Sequence, residues 1–303
     1  MATATGTTHR YPASAARGVP LATRLSRLGW DGVRYALLLL YALLCLYPFL
    51  WMLSTSLRST AGVFSAGLSL WVDDPQWQNY AEIWTEANVP RAAVNTVLIT
   101  TVCMGAIILT TSMAAYALTR SRFPGRQVIM VCLLATFLVP GEMLIIPTFY
   151  VNRSLHLIGD WRSLGAVILV MTAGAQVFNI YLLMSHFQGV PSEIYDSAAI
   201  DGAGYFETYR RIAFPLIRPA LATVALLTFM GIWNAFLVPL VYLSQQPAYQ
   251  TLTIALIQYS KRFQTLYHVM AAGAVIALVP VIVVFIFLQR YFIRGLTEGA
   301  MKG

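Results

Sequence analysis

Charge is absent over long tracts of this chain, and the tracts recur six times. Five intervals contain no Asp, Glu, Lys or Arg: residues 35–57, 92–119, 163–192, 219–260 and 263–289. A sixth, 127–152, holds one charge, Glu142, and is otherwise apolar from Val128 to Val151. Crossing roughly 30 Å of hydrocarbon takes about 20 helical residues, so each tract is long enough for one transmembrane helix. The longest is interrupted by Ser244-Gln245-Gln246-Pro247, which predicts one span ending near Leu243 and then a segment dipping back as a short amphipathic helix. The pattern predicts an all-α integral membrane protein with six transmembrane helices, over 33–57, 93–119, 127–151, 164–187, 219–243 and 267–289.

Composition agrees, with 58% apolar residues and only 11% charged, against about 25% charged in a soluble domain. The net charge of +8 suggests nucleic acid only until the basic residues are placed: they flank the apolar runs, where they set membrane orientation. The N-terminal tail carries five, the second loop Arg120, Arg122 and Arg126, the fourth Arg210, Arg211 and Arg218, and the C-terminus Arg290, Arg294 and Lys302. Fourteen of the 20 thus fall on one face, which predicts that both termini are cytoplasmic. Residues 1–32 lack the apolar content for a core and are expected to be a mobile cytoplasmic tail. The apolar run from Val33 is too long for a signal-peptide core, so it reads as an uncleaved span. Residues 59–91, with Trp77, Tyr80 and Trp84 among polar side chains, read as an extracytoplasmic cap at the interface. Residues 291–303 form a cytoplasmic C-terminal tail.

Several chemistries drop out. Cys45, Cys103 and Cys132 lie inside apolar runs without metal-ligand spacing, so neither a disulfide framework nor a metal site is indicated. A phosphate-cradling GxxxxGK[ST] is impossible, because Lys261 follows Ser260 and Lys302 follows Met301. If ATP drives this protein, another subunit binds it. The scattered His9, His156, His186 and His268 give no HExxH, and no paired carboxylates lie within a span, so an intramembrane enzyme is a weak reading.

The loop over 188–218 is the most ordered polar segment. Pro191 suits the first helical position, and Glu193 and Asp196 complement the positive end of a helix running to about Asp201. Gly202 and Gly204 supply turn positions, after which Tyr205–Phe214 reads as a second short helix ending before Pro215. Small side chains, Ser197, Ala198, Ala199 and Ala203, flank the turn. Such a unit is either a connector lying on the membrane or a helix-turn-helix shaped for a groove on another protein.

This segment resembles the EAA loop of ABC-importer permeases, whose pattern runs E-A-A, D-G-A, I-x-L-P. Here it stands as Asp196-Ser197-Ala198, Asp201-Gly202-Ala203 and Ile212-Ala213-Phe214-Pro215, with Asp, Ser and Phe as the departures. The run Gly231–Leu243 (GIWNAFLVPLVYL) and the C-terminal Met270–Gly303 resemble the MalG-like branch, the carbohydrate-importer permeases. The resemblance implies the type I ABC importer permease architecture in a bacterial cytoplasmic membrane. It also implies a MalF-like second permease, two ABC ATPase subunits that hold ATP and Mg, and an extracytoplasmic solute-binding protein; this chain itself binds no cofactor. The imported solute would be a sugar, with glycerol 3-phosphate or a glycerophosphodiester as the runner-up. Glu193, Asp196, Ser197, Ala198, Asp201, Gly202, Ala203, Ile212 and Pro215 would form the ATPase-coupling surface. Gly295, Glu298 and Lys302 of the tail would touch the same ATPases.

Polar residues within spans suggest a solute path. Glu142 follows Val139-Pro140-Gly141, so its span is expected to bend there, about 22 Å along from Gln127 if measured as a straight helix. It reads as a path residue, a gate or a member of a structural ion pair. Trp233 and Asn234 are candidates for stacking on, and hydrogen bonding to, a sugar. Asn95, Gln176 and Asn179 read better as interhelical glue. A gradient-driven secondary transporter, the rival class, calls for repeated halves, and none is evident between residues 35–151 and 163–290.

Overall fold

The computed structural model describes residues 21–65, 67–262 and 266–300; for 21–29, 261–262 and 290–300 it describes the backbone alone. In chain order the helices are α1 (Leu21–Ser56), α2 (Thr60–Ser65), α3 (Gln78–Glu86), α4 (Val89–Arg120) and α5 (Arg126–Thr136). A 3-10 turn, Gly141–Leu144, leads into α6 (Ile145–Ser154), followed by α7 (Arg162–Gly174) and α8 (Gln176–Gln188). Next come α9 (Ser192–Ile200), α10 (Tyr205–Thr208), a π-helical turn Tyr209–Ala213, α11 (Phe214–Leu216), α12 (Arg218–Trp233) and α13 (Leu237–Leu243). The series closes with a 3-10 turn Pro247–Tyr249, α14 (Leu252–Arg262) and α15 (Tyr267–Ala300). No strand occurs among the described residues.

The chain forms two compact units, one ending at Trp51 and one beginning at Met52. In the first, α1 reaches back to Leu21, ahead of the expected boundary at 33; residues 1–20 of the expected tail lie outside the described residues. In the second, α4 is the central helix and packs against α7, α8, α12 and α14, while α12 also packs against α15. Two apolar clusters result. One joins α4 to α7, α8 and the segment between α9 and α12 through residues such as Cys103, Tyr116, Leu183, Phe187 and Val224. The other joins α3, the start of α4, the end of α12, α14 and α15 through Ile83, Val89, Trp233, Leu256 and Ala272.

Three stretches, Trp30–Ser56, Val89–Arg120 and Tyr267–Gln289, are single helices long and apolar enough to cross a membrane. The other three expected spans are broken. Arg126–Thr136 and Gly141–Ser154 meet at 89°, at Pro140, which lacks an amide hydrogen and takes a non-helical ψ of 127°. That turn corrects the straight-helix placement of Glu142. Arg162–Gly174 and Gln176–Gln188 meet at 46° around Ala175 with no proline to announce it. The fifth span stops at Trp233 and resumes at Leu237. There the Asn234 amide Nδ2 donates to the Met230 carbonyl at 2.9 Å, and Pro239 supplies no N–H to the carbonyl of Ala235. The segment after Leu243 forms α14, which packs along α4. Asn95 Nδ2 fixes the approach to it by donating to the carbonyls of Ala248 and Gln250, and Thr96 Oγ1 accepts from the Leu252 amide at 2.8 Å. Asn95 is therefore interhelical glue. α15 continues to Ala300, so Gly295 and Glu298 extend a helix where a separate tail from 291 was expected; Lys302 lies outside the described residues.

Candidate functional site

Two features carry chemistry or mechanics: the helix-turn-helix over 188–218 and a cavity at the helix breaks.

The first follows its sequence reading in part: the second helix, expected over Tyr205–Phe214 and ending before Pro215, is instead the single turn α10, a π-helical turn and α11, which carries Pro215 at a position where no amide hydrogen is needed. α9 begins at Ser192, so Pro191, with ψ 138°, stands just ahead of the first helical position it was expected to take, and the helix ends at Ile200. Gly202 then takes φ +79°, the left-handed conformation that glycine adopts without Cβ strain. Its amide donates to Ala199 O at 3.1 Å and that of Ala203 to Ala198 O at 2.9 Å, the paired closure of a Schellman motif. Glu207 and Arg211 form an ion pair at 2.7 Å on the following turn. The unit's second arm, Tyr205–Leu216, turns into α12 through 76°.

Exposure divides the residues of the unit. Glu193, Asp196, Ser197, Asp201 and Gly202 are exposed, Ala203, Ile212 and Pro215 half-buried. Ala198 is only 4% exposed, so the middle of the small-residue run faces the protein's own interior and is corrected from contact surface to packing. Two residues that the sequence reading missed stand out instead: Ile200 is 86% exposed and Phe206 60% exposed, an apolar pair on either side of the Gly202 turn. A large apolar residue at the last turn of a helix, next to Asp201-Gly202, was the available signal.

An aromatic cluster holds this unit to the end of α4. The Tyr116 ring lies 4.9 Å from that of Tyr205, 5.3 Å from Tyr209, 5.5 Å from Phe187 and 6.3 Å from Tyr195, centre to centre. The Tyr209 hydroxyl pairs with Ser112 Oγ at 2.8 Å, and Ser121 Oγ donates to the Tyr205 hydroxyl at 2.8 Å. Burial pushes the Tyr195 and Tyr209 phenols above their ordinary pKa, opposed by the Arg120 charge at Tyr195 and by the Ser112 hydrogen bond at Tyr209. Both are neutral phenols at physiological pH.

The second feature is a cavity of about 1190 Å³ into which all three broken spans open. Its wall includes Phe137, Pro140 and Glu142 from the first break, Ala175, Phe178 and Asn179 from the second, and Ala235 and Phe236 from the third. Most of the lining is apolar, and Glu142 is the one Asp, Glu, Lys or Arg in it. Trp233 and Asn234 are not in this wall. Trp233 is buried, stacks on Phe229 at 5.4 Å and donates Nε1–H to the Ala277 carbonyl at 3.1 Å, which makes it a packing residue between α12 and α15 and not a sugar platform. Asn234 is exposed and its amide is engaged with Met230. Gln176 likewise serves its neighbours, Thr110 and the Thr172 carbonyl.

Comparison with known proteins gives a consistent picture. A profile of the family described as binding-protein-dependent transport system inner membrane component matches residues 106–298. The chain is 32% identical over 272 residues to a diacetylchitobiose uptake system permease of Streptomyces coelicolor, covering 89% of this chain and 88% of that one. It is 33% identical to an arabinooligosaccharides transport system permease of Halalkalibacterium halodurans, over 86% of this chain and 93% of that one. A melibiose/raffinose/stachyose import permease of Bacillus subtilis is 30% identical over 84% and 91% of the two chains. Among solved structures, a chain of a bacterial ABC transporter that imports the acidic polysaccharide alginate superposes with a TM-score of 0.75 at 25% identity, covering 90% of this chain and all of that one.

Proposed function

The chain belongs to the binding-protein-dependent transport system inner membrane components, and from that premise we propose that it imports an uncharged oligosaccharide as one permease of an ATP-driven complex. It is an ABC importer permease subunit, a transport component and not an enzyme. One observation carries the solute class: relatives that share about nine-tenths of its length at 30–33% identity are named for neutral saccharides.

In this reading the chain lies in a bacterial cytoplasmic membrane with both termini on the cytoplasmic side. It pairs with a MalF-like permease, two ATPase subunits that bind ATP and Mg, and an extracytoplasmic binding protein that delivers the solute. The helix-turn-helix is the ATPase dock. Ile200 and Phe206 enter an apolar groove, while Glu193, Asp196 and Asp201 supply a polar, acidic rim. Closure of the ATPase pair moves this unit as a body, and the Tyr116 cluster passes the displacement to α4, the helix against which α7, α8 and α12 pack. A shift between two arrangements needs an element that a ligand biases, and the dock is that element.

The test is uptake by proteoliposomes holding both permeases and the ATPases, with the binding protein outside and ATP inside. Labelled diacetylchitobiose, raffinose and arabino-oligosaccharides are offered beside glycerol 3-phosphate. ATP-dependent accumulation of a saccharide is the expected result. Accumulation of glycerol 3-phosphate alone, or a gradient-driven uptake without ATP, would sink the assignment.

A further inference from the structure

We infer that the cap over residues 59–91 carries a socket for a basic side chain: a pocket of about 390 Å³ between α3 and the starts of α2 and α15 takes a lysine ammonium or arginine guanidinium of the solute-binding protein, with Glu82 as its counter-ion and Asn79 and Gln78 as further acceptors. This rests on the importer reading and adds to it where on this chain the binding protein is held and which charge it presents there.

The pocket is unlike the rest of the molecule. Every residue that lines it is polar, from Ser59 and Thr60 beside α2 to His268 at the start of α15, and Glu82 is the one Asp, Glu, Lys or Arg among them. The described residues form two ion pairs, Arg162–Asp160 and Arg211–Glu207, and Glu82 belongs to neither. Glu82 is half-buried, and the Tyr259 hydroxyl donates to its Oε1 at 2.6 Å. That bond fixes the carboxylate without neutralising it. A charge partly withdrawn from water calls for an opposite charge.

The amide groups of the wall are turned to receive hydrogens. Asn79 is only 3% exposed, and its Nδ2 donates to the carbonyls of Ser56 and Arg58 at 2.9 Å. Gln76 Nε2 donates to Asp74 Oδ2 at 2.7 Å, and Gln78 Nε2 to Gln76 Oε1 at 3.0 Å. Among the described residues nothing donates to Asn79 Oδ1, Gln78 Oε1 or Glu82 Oε2, and neither Asn79 Oδ1 nor Glu82 Oε2 is shut off from solvent. With the nitrogens engaged inside the chain, the pocket offers oxygen acceptors around one negative charge. An ammonium carries three N–H donors and a guanidinium five, and neither has an acceptor of its own, so both complement this wall.

The surroundings favour the same sign. Residues 59–91 hold four acids, Asp73, Asp74, Glu82 and Glu86, against Arg91 alone. Such a field draws a basic partner and orients it before contact. The volume suits one long side chain, and basic anchors seated in pockets are the residues that dominate interfaces.

The test titrates the loaded binding protein against the reconstituted complex and reads ATP hydrolysis. Glu82→Gln keeps an acceptor for Tyr259 and removes only the charge. We expect the half-saturating concentration of binding protein to rise about tenfold at low salt and less near 0.15 M, with the maximal rate retained. Glu82→Lys should raise it further, and one lysine- or arginine-to-glutamate change on the binding protein should restore it. Glu86→Gln, one turn further along α3 and outside the lining, should change it by less than about twofold. An unchanged half-saturating concentration in Glu82→Gln would overturn the socket. An equal rise in Glu86→Gln would overturn it as well, by showing a diffuse field. So would a lower melting temperature of the Glu82→Gln complex without binding protein, since the carboxylate would then serve a partner inside the complex. If saturating binding protein fails to stimulate the unsubstituted complex, the importer reading itself has failed, and the socket falls with it.

Discussion

The guanidinium carbon of Arg120 stands 3.8 Å from the centre of the Tyr195 ring. Arg120 ends α4 and Tyr195 sits in α9, so the contact ties the principal helix of the bundle to the first helix of the helix-turn-helix. A cation there is favoured twice, by the ring's negative face and by the carbonyl end of α4. Tyr116, one turn back on α4, adds contacts to both helices of the unit, so the unit cannot tilt without disturbing α4.

The Arg120–Tyr195 contact is measurable as a coupling. Arg120→Met, Tyr195→Leu and their combination form a cycle in which thermal unfolding of the purified complex should give a coupling of about 1 kcal/mol. Transport should lose more than stability does. We expect each single variant to assemble with its partners while solute accumulated per ATP drops. Additive effects across the cycle, with normal transport in both singles, would mean that the contact carries no load.

Gly202 allows a cleaner separation of folding from docking. Its φ of +79° strains any residue with a Cβ, at about 1–2 kcal/mol, yet a Cβ built there meets no atom within 4 Å. Nothing inside the chain forbids a side chain at this point. Gly202→Asp should therefore leave the permease folded and paired with the second permease, and abolish ATPase co-purification or stimulation. Normal transport with normal stimulation in this variant would show that the turn does not approach the ATPase.

Gly273 presents the opposite case. A Cβ there would lie 2.5 Å from Leu256 Cδ2 and 3.1 Å from Ile83 Cγ1, so a side chain where α15, α14 and α3 meet would force Leu256 and Ile83 to move. Small residues at such crossings let helices approach closely. Gly273→Val should lower stability by about 1–3 kcal/mol through overpacking, read as a fall in the melting temperature of the detergent-solubilised complex. Leu256→Ala in the same chain should restore part of the loss. A valine tolerated without rescue would contradict this packing.

Arg58 organises the segment between α1 and α3. It is 6% exposed and its guanidinium bonds Ser54 Oγ at 2.9 Å and the carbonyls of Ser69 at 2.5 Å and Trp71 at 3.1 Å. Asn79 Nδ2 closes the same knot on the carbonyls of Ser56 and Arg58, each at 2.9 Å. Arg58→Met removes the donors and leaves Ser54 Oγ and two part-buried carbonyls without this partner, at about 1 kcal/mol. Limited proteolysis within residues 59–77 should accelerate severalfold, and an unchanged cleavage rate would place the order elsewhere.

Much of this was legible in the sequence, unevenly. Apolar tracts located the spans because burial in lipid demands an uninterrupted run. Pro140 announced the first break because a missing amide hydrogen is written in the chain. The break at Ala175 was not legible, since no residue there forbids a helix; tertiary packing decides it. Asn95 read correctly as glue because a short amide in a span must find partners nearby. Trp233 misled, because an indole beside an asparagine looks the same whether it faces a sugar or a neighbouring helix. The helix-turn-helix's turn chemistry was plain in Asp201-Gly202-Ala203, whereas its exposed face was not: a run of small residues does not show which of them face inward, and Ala198 does. The cavity was invisible, because its wall is drawn from three breaks far apart in sequence.

Glu142 offers the last test, of charge alone. The residue is exposed in a short 3-10 turn and lines the cavity, so reversing its sign should alter the cavity field with little effect on packing. An anionic competitor, such as a uronate-containing disaccharide, should inhibit neutral saccharide uptake weakly in the native complex, more in Glu142→Gln and most in Glu142→Lys. The step from Glu to Lys should tighten inhibition by about tenfold at low salt and by much less near 0.15 M, where charges are screened beyond roughly 8 Å. A neutral competitor of the same size should show no such trend, which separates field from shape. If uronate and neutral competitors respond alike to the three side chains, the carboxylate does not face the solute, and the neutrality of the solute must be set by the binding protein or by the second permease.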